Sequence, residues 1–320
     1  MRKISCSAPA RVDLSGGAAD IFGLTTMSAA IDVRATCTIE ETNGETTLDV
    51  GNGEIPMSEA KGSSYDILLN IIKRFNIGPG LKIKIGSDIP RSSGLGGSAS
   101  IAVSVVKALS ELRGFGLSDY AVAEHAQRIE TLGMKLKNGY QDQYTSTFGG
   151  CIFMDFKDKE NKDVGEEPYA VVERMPFKHN IVVAHTGTKH NSGDVNSIVY
   201  DKFHARDKTV VDSVMRLDDL TRRLRTSLID DDYGGVCNIV NENQEIIRIF
   251  KRSYPENERL IRTALDRGAD AAKVTGAGCG GSIAAICKDV DTAEFVAECL
   301  REMSPYVKVC RIDEGVRNEL

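Results

Sequence analysis

Residues 88–101 read DIPRSSGLGGSASI, a glycine and serine loop that runs directly into the apolar pattern IAVSVVKAL of residues 101–109. A helix start leaves backbone N–H groups without intrahelical partners and carries the positive end of the macrodipole, so phosphate is stabilised there. Gly94, Gly96 and Gly97 let the backbone approach a ligand closely, and Ser98 and Ser100 add hydroxyls for phosphate oxygens or a hydrated magnesium ion. Read alone, the stretch fits a phosphate cradle or a glycine turn that merely caps a helix.

Working outward, LKIKIGS at 81–87 alternates like a half-buried strand that Pro90 closes, and helices are expected over about 98–113 and 118–134, the second opened by the cap signal LSDYAVAE. Upstream, ISCSAPARVDLSGG, AAIDVRATCTIEET and TTLDVG are strand-like, and SSYDILLNIIKRFN has helical spacing. Downstream, FGGCIFMDF and NIVVAHTGT are strand-like on either side of a charged stretch expected to be a loop, and 192–268 is predominantly helical. A helix at DTAEFVAECLREM and a strand at YVKVCRI close the chain like half of a split β-α-β unit. The pattern places a boundary near residues 155–180, strands from both sides being able to share a sheet.

The 320 residues, 41% hydrophobic and 27% charged, suit a soluble globular protein with two lobes or one large α/β unit. Net charge is −6 and no long basic run occurs, so no nucleic-acid partner is expected; RRLRT at 222–226 reads as the solvated face of a charged helix. Eight cysteines form no CxxC pair and fall mostly in apolar segments, which suits reduced, buried thiols in a cytoplasmic protein; Cys279, in GAGCGG, is the one expected near a ligand. No stretch of 18 apolar residues occurs, so no membrane span is expected. Oligomeric state is not legible.

Three glycine-rich segments belong together: APARVDLSGGAAD at 8–20, PRSSGLGGSAS at 90–100 and KVTGAGCGGSI at 273–283. Neither GxxxxGK[ST] nor a Rossmann GxGxxG after a strand is present. In order and spelling the segments resemble the three motifs of the GHMP small-molecule kinases, named for galactokinase, homoserine kinase, mevalonate kinase and phosphomevalonate kinase. The middle one is similar to that family's P-x-x-x-G-L-G-S-S-A loop, with Gly97 in place of the first paired serine. GYQDQYTSTFGG at 139–150 and the first motif, Arg11 followed by Gly16, Gly17 and Asp20, look most like the sugar-kinase branch that includes heptose 7-phosphate kinases. Ala18 and Ala19 depart from that branch's GGG-[ST]-D, and in HTGTKHNSGDV Lys189 and His190 stand where an arginine is usual. The GEH of galactokinases and mevalonate kinases is absent.

The resemblance implies an α+β, two-lobed fold, an N-terminal ribosomal-protein-S5-like lobe over 1–165 and a C-terminal split β-α-β lobe over 166–320. It implies ATP held by Pro90, Ser92, Ser93, Gly94, Leu95, Gly96, Gly97, Ser98, Ala99 and Ser100, with Mg²⁺ on Ser98 and Glu130. Asp142 becomes the catalytic carboxylate and Arg11 the base beside it, while Gly16, Gly17, Asp20, Gln141, Gly276, Gly278 and Gly280 fall to the acceptor. Bland readings stand beside these: a turn aspartate for Asp142, an exposed strand arginine for Arg11, a solvated helix carboxylate for Glu130, an Asx-turn for Asp20 and a tight turn for 276–281. The implied activity is ATP-dependent phosphorylation of a hydroxyl, the anomeric one, on a sugar or sugar phosphate. Its rivals are a kinase for mevalonate or another polyol, and a catalytically silent nucleotide- or sugar-binding regulator.

Overall fold

The computed structural model describes residues 1–134, 138–159, 169–188, 192–278 and 281–320. The order is β1 (Lys3–Ser15), β2 (Thr25–Glu41), β3 (Thr47–Asp49), β4 (Glu54–Pro56), α1 (Ser63–Arg74), β5 (Leu81–Ser87), α2 (Gly97–Arg113), α3 (Asp119–Arg128), α4 (Gln141–Phe148), β6 (Cys151–Asp155) and β7 (Val171–Met175). There follow β8 (Asn180–His185), α5 (Ser192–His204), α6 (Lys208–Ile229), α7 (Tyr233–Ile249), α8 (Pro255–Asp266), β9 (Ala271–Thr275), β10 (Ser282–Cys287), α9 (Val290–Arg301), β11 (Tyr306–Cys310) and β12 (Arg317–Asn318).

The first sheet runs β12-β1-β2-β5-β3-β4, with β6 and then β7 continuing from the far half of β2; the second, β11-β8-β10-β9, is antiparallel. The fold is α+β, as expected. Two strands cross the 165/166 division: β7 pairs with β6 and β12 with β1, so segments of the second half hydrogen-bond into the first sheet. β7 lies in the stretch whose charge suggested a loop; Val172 is half-buried and Met175 buried, while Glu173 pairs with Arg225 of α6.

The β1–β2 register shifts beside the site: Pro9 pairs with Arg34 but Ala10 with Ile31, so Asp32 and Val33 of β2 are the extra residues. Cys6 and Ala8 pack in the core shared with α1, α2 and α3, whereas Ala10, Val12 and Leu14 join a different core with α6, α7, β8 and β10. Beyond the shift Arg11 N donates to Leu95 O at 3.0 Å, which ties this part of β1 to the glycine loop. The buried run of α2 explains its nearly continuous apolar sequence, and left-handed Gly96 and Gly114 bound it at its two ends. The expected helix over 118–134 is α3 only to Arg128; a π-turn over Ile129–Gly133 follows and carries Glu130. Such turns recur at functional sites because the extra residue redirects side chains.

Arg222, Arg223 and Arg225 of the basic patch lie on α6 and pair with carboxylates of α6, α7, β6 and β7. Among the described residues every cysteine is unpaired and all but Cys299 are buried; Cys279 lies outside them. No described helix is long and apolar enough to cross a membrane.

Candidate active site

β1, the glycine loop, the π-turn, the start of α4 and the loop after β9 converge on one cavity of about 950 Å³. The loop between Gly94 and Gly97 and that around Gly276 approach so closely that a Cβ on Gly276 would sit 2.4 Å from Gly94 O, and Gly276 holds φ +76°. Side chains are excluded there by both contact and conformation.

Arg11, only 4% exposed, forms the centre of this arrangement. Its Nε donates to Asp142 Oδ1 at 2.7 Å, Nη2 donates to Oδ2 at 2.5 Å, and Nη1 donates to Gly94 O. Burial opposes its charge, but Asp142's charge and hydrogen bonds outweigh it, holding the guanidinium above its ordinary value. Asp142 keeps 28% side-chain exposure and lines the cavity. It is in the first turn of α4 rather than in a turn before FGGC.

Glu130 is 3% exposed, and its Oε2 accepts from Gln143 Nε2 at 2.7 Å and Asn138 Nδ2 at 3.2 Å. Burial pushes its pKa up against the easing of Ser98, Asn138 and Gln143. Its Oε1 is buried without a hydrogen-bond partner, and the nearby Ser98 is exposed at the cavity. An orphaned carboxylate oxygen beside an open hydroxyl fits a hard cation that takes its remaining ligands from phosphates and water. Among the described residues no group of three or more His, Cys, Asp or Glu stands ready for a metal, which suits the same division of ligands.

Pro90, Ser92, Ser93, Gly94, Gly96, Gly97, Ser98 and Ala99 line the cavity, whereas Leu95 and Ser100 point away. Leu95 is core, and Ser100 Oγ donates to Pro9 O at 2.8 Å. Gly17, Asp20, Gln141, Gly276 and Gly278 also line it. Gly16 does not; it packs against Thr25 and Thr26, where a Cβ would come within 2.7 Å. Gly280, Lys189 and His190 lie outside the described residues.

Three features escaped the sequence reading. Asn138 and Gln143 hold Glu130, and Gln143 could have been found from the QDQ triplet. Arg252, 4% exposed, lines the cavity, with its backbone O 2.4 Å from where a Cβ on Gly278 would lie. Lys273 Nζ donates to Asp13 O at 2.9 Å and Oδ2 at 3.1 Å, a buried pair joining the two sheets. One end of the cavity, with Val50, Ile67, Leu68, Ile85 and Ile89, is apolar; the other, with Arg11, Asp20, Gln141 and Asp142, is polar.

Family comparison meets this geometry at both halves of the chain: residues 63–150 match the model for the GHMP kinases N terminal domain, and 224–305 that for the GHMP kinases C terminal. The chain belongs to the GHMP kinase family. A D-glycero-alpha-D-manno-heptose 7-phosphate kinase of Campylobacter jejuni is 27% identical over 303 residues, covering 88% of each chain. A mevalonate kinase of Methanothermobacter thermautotrophicus is 26% identical over 292 residues, 89% of this chain and 90% of its own. The galactose complex of Lactococcus lactis galactokinase superposes with a TM-score of 0.81 at 18% identity, covering 99% of this chain and 95% of the other. GHMP kinases are phosphotransferases.

Proposed function

We propose that this chain is an ATP- and magnesium-dependent kinase that phosphorylates a hydroxyl, the anomeric one, of a sugar or sugar phosphate such as a heptose 7-phosphate. The observation that carries the reading is Asp142, held bidentately by Arg11, open to the cavity that the Gly94–Ser98 loop lines. The first half would act as the nucleotide lobe and the second as the lobe that brings the third glycine loop to it.

Phosphoryl transfer asks for positioning and charge neutralisation more than for covalent chemistry. The loop amides and the start of α2 would bind the triphosphate, and the apolar end would take the base. Ser98 and Glu130 would hold magnesium, which when bound neutralises phosphate charge. Asp142 would accept the acceptor hydroxyl's proton, while Arg11 would keep that carboxylate aimed and stabilise charge on the group in transit. Asp20, Gln141, Gly17, Gly276 and Gly278 would surround the acceptor, with Gly280 beside them in sequence and Gly16 shaping the turn that presents Gly17. Arg252 gives this cavity a cation suited to an anionic acceptor.

The mevalonate kinases among the relatives keep a second acceptor in view. A panel of free sugars, sugar 7-phosphates and mevalonate, followed by ADP release and phosphorus NMR of the product, separates the two. Turnover of a sugar or sugar phosphate to an anomeric phosphate is expected; turnover of mevalonate and of no sugar would overturn the substrate class.

A further inference from the structure

Asp20 does two things at once. Its Oδ2 accepts from the backbone N–H of Tyr140 at 2.6 Å and of Gln141 at 2.9 Å, the groups that open α4 one residue before Asp142. Among the described residues no hydrogen bond engages its Oδ1, which is not among the sealed polar atoms, and Asp20 lines the cavity, so Oδ1 is the oxygen left to a ligand. The fit is close: a Cβ at Gly139 would lie 1.9 Å from Asp20 Oδ2, so only glycine there lets the carboxylate reach the helix start. Neither Tyr140 nor Gln141 is a better local cap, since α4 has no side-chain cap of its own.

We propose that Asp20 is a positioning residue for Asp142, tying the acceptor to the N-terminus of α4 so that acceptor binding and alignment of the catalytic carboxylate are one event. The inference rests on the catalytic reading of Asp142 given above. An acceptor hydroxyl donating to Oδ1 favours the ionised carboxylate, which in turn accepts more strongly from the two amides at the helix start. The charged groups facing Asp20 are Asp142 from α4 and Asp13 and Arg11 from β1; β2 and α6, which also pack on its segment, place none among the groups that move it most. Burial, chiefly, pushes its carboxyl up to about 7, against the two backbone hydrogen bonds. Acceptor binding is therefore expected to weaken as pH falls below about 7.

The test is steady-state kinetics with the acceptor that the wild type turns over fastest, comparing Asp20→Asn and Asp20→Ala. Asparagine keeps a carbonyl for the two amides and loses the charge; alanine loses both. Positioning predicts that Asp20→Asn raises the acceptor KM about tenfold, keeps kcat within about threefold and flattens the acid limb of kcat/KM below pH 7. Asp20→Ala should also lower kcat at saturating acceptor by about tenfold or more, with the KM for ATP unchanged in both. Equal rises in KM with kcat untouched in both variants would make Asp20 an acceptor contact only and overturn the proposal, as would an acid limb that survives in Asp20→Asn. Failure of the underlying reading looks different: Asp142→Asn would then turn over at the wild-type rate whatever Asp20 does.

Discussion

Two ion pairs stand two residues apart on β1. Arg11 pairs with Asp142, which keeps 28% side-chain exposure, whereas Asp13 pairs with Lys273 at 0% and 1%. Both bases are buried and both carboxylates are within hydrogen-bond reach, but only the first pair has an oxygen that a substrate can touch. The sealed pair joins the first sheet to the second beside the cavity, with Asp13 N donating to Thr275 Oγ1 at 2.9 Å. Access rather than charge thus separates the two: one pair is open to the cavity, and its neighbour joins the two sheets beside it.

Breaking the sealed pair should give the largest effect. Lys273→Met leaves Asp13 as an uncompensated buried charge and is expected to cost about 3–5 kcal/mol in urea unfolding. Adding Asp13→Asn should recover more than half of that loss; a single substitution costing less than about 1 kcal/mol would remove the structural role. Asp20 sharpens the contrast from the cavity side. Its folded pKa of about 7 lies above the ordinary 3.8, so its contribution to stability is fullest below pH 4 and is lost as pH rises through 7. Asp20→Asn should therefore stabilise the fold by about 1–3 kcal/mol at pH 8, with the gain shrinking towards pH 4 in parallel melts. The smallest effect belongs to Lys178–Asp231, both partners 68% exposed; Lys178→Ala should shift stability by less than about 0.5 kcal/mol.

The same contrast marks what was legible in the residues. The glycine loop ahead of α2 and the GYQDQYTSTFGG segment that holds Asp142 are local patterns, and the fold sets both on one cavity. α4 was not legible, because its polar and β-branched residues have weak helix propensity and its start is held by Asp20 from 120 residues away. Lys273 and Asp13 lie 260 residues apart, and nothing in either segment announces the other. The placing of Arg11 is held by Leu95 O and Asp142, both far off in sequence, which alternation along β1 does not reveal. β7 was hidden because its charged residues are held by distant partners, Glu173 by Arg225 of α6 and Arg174 by the carbonyl of Phe148.

The most direct measurement is single-turnover phosphoryl transfer by Asp142→Asn, with ATP binding and the thermal midpoint measured on the same protein. The account predicts a rate about 100-fold or more below wild type, with ATP affinity and fold retained, because the amide accepts no proton and loses the ionic grip of Arg11. Transfer at the wild-type rate would contradict it.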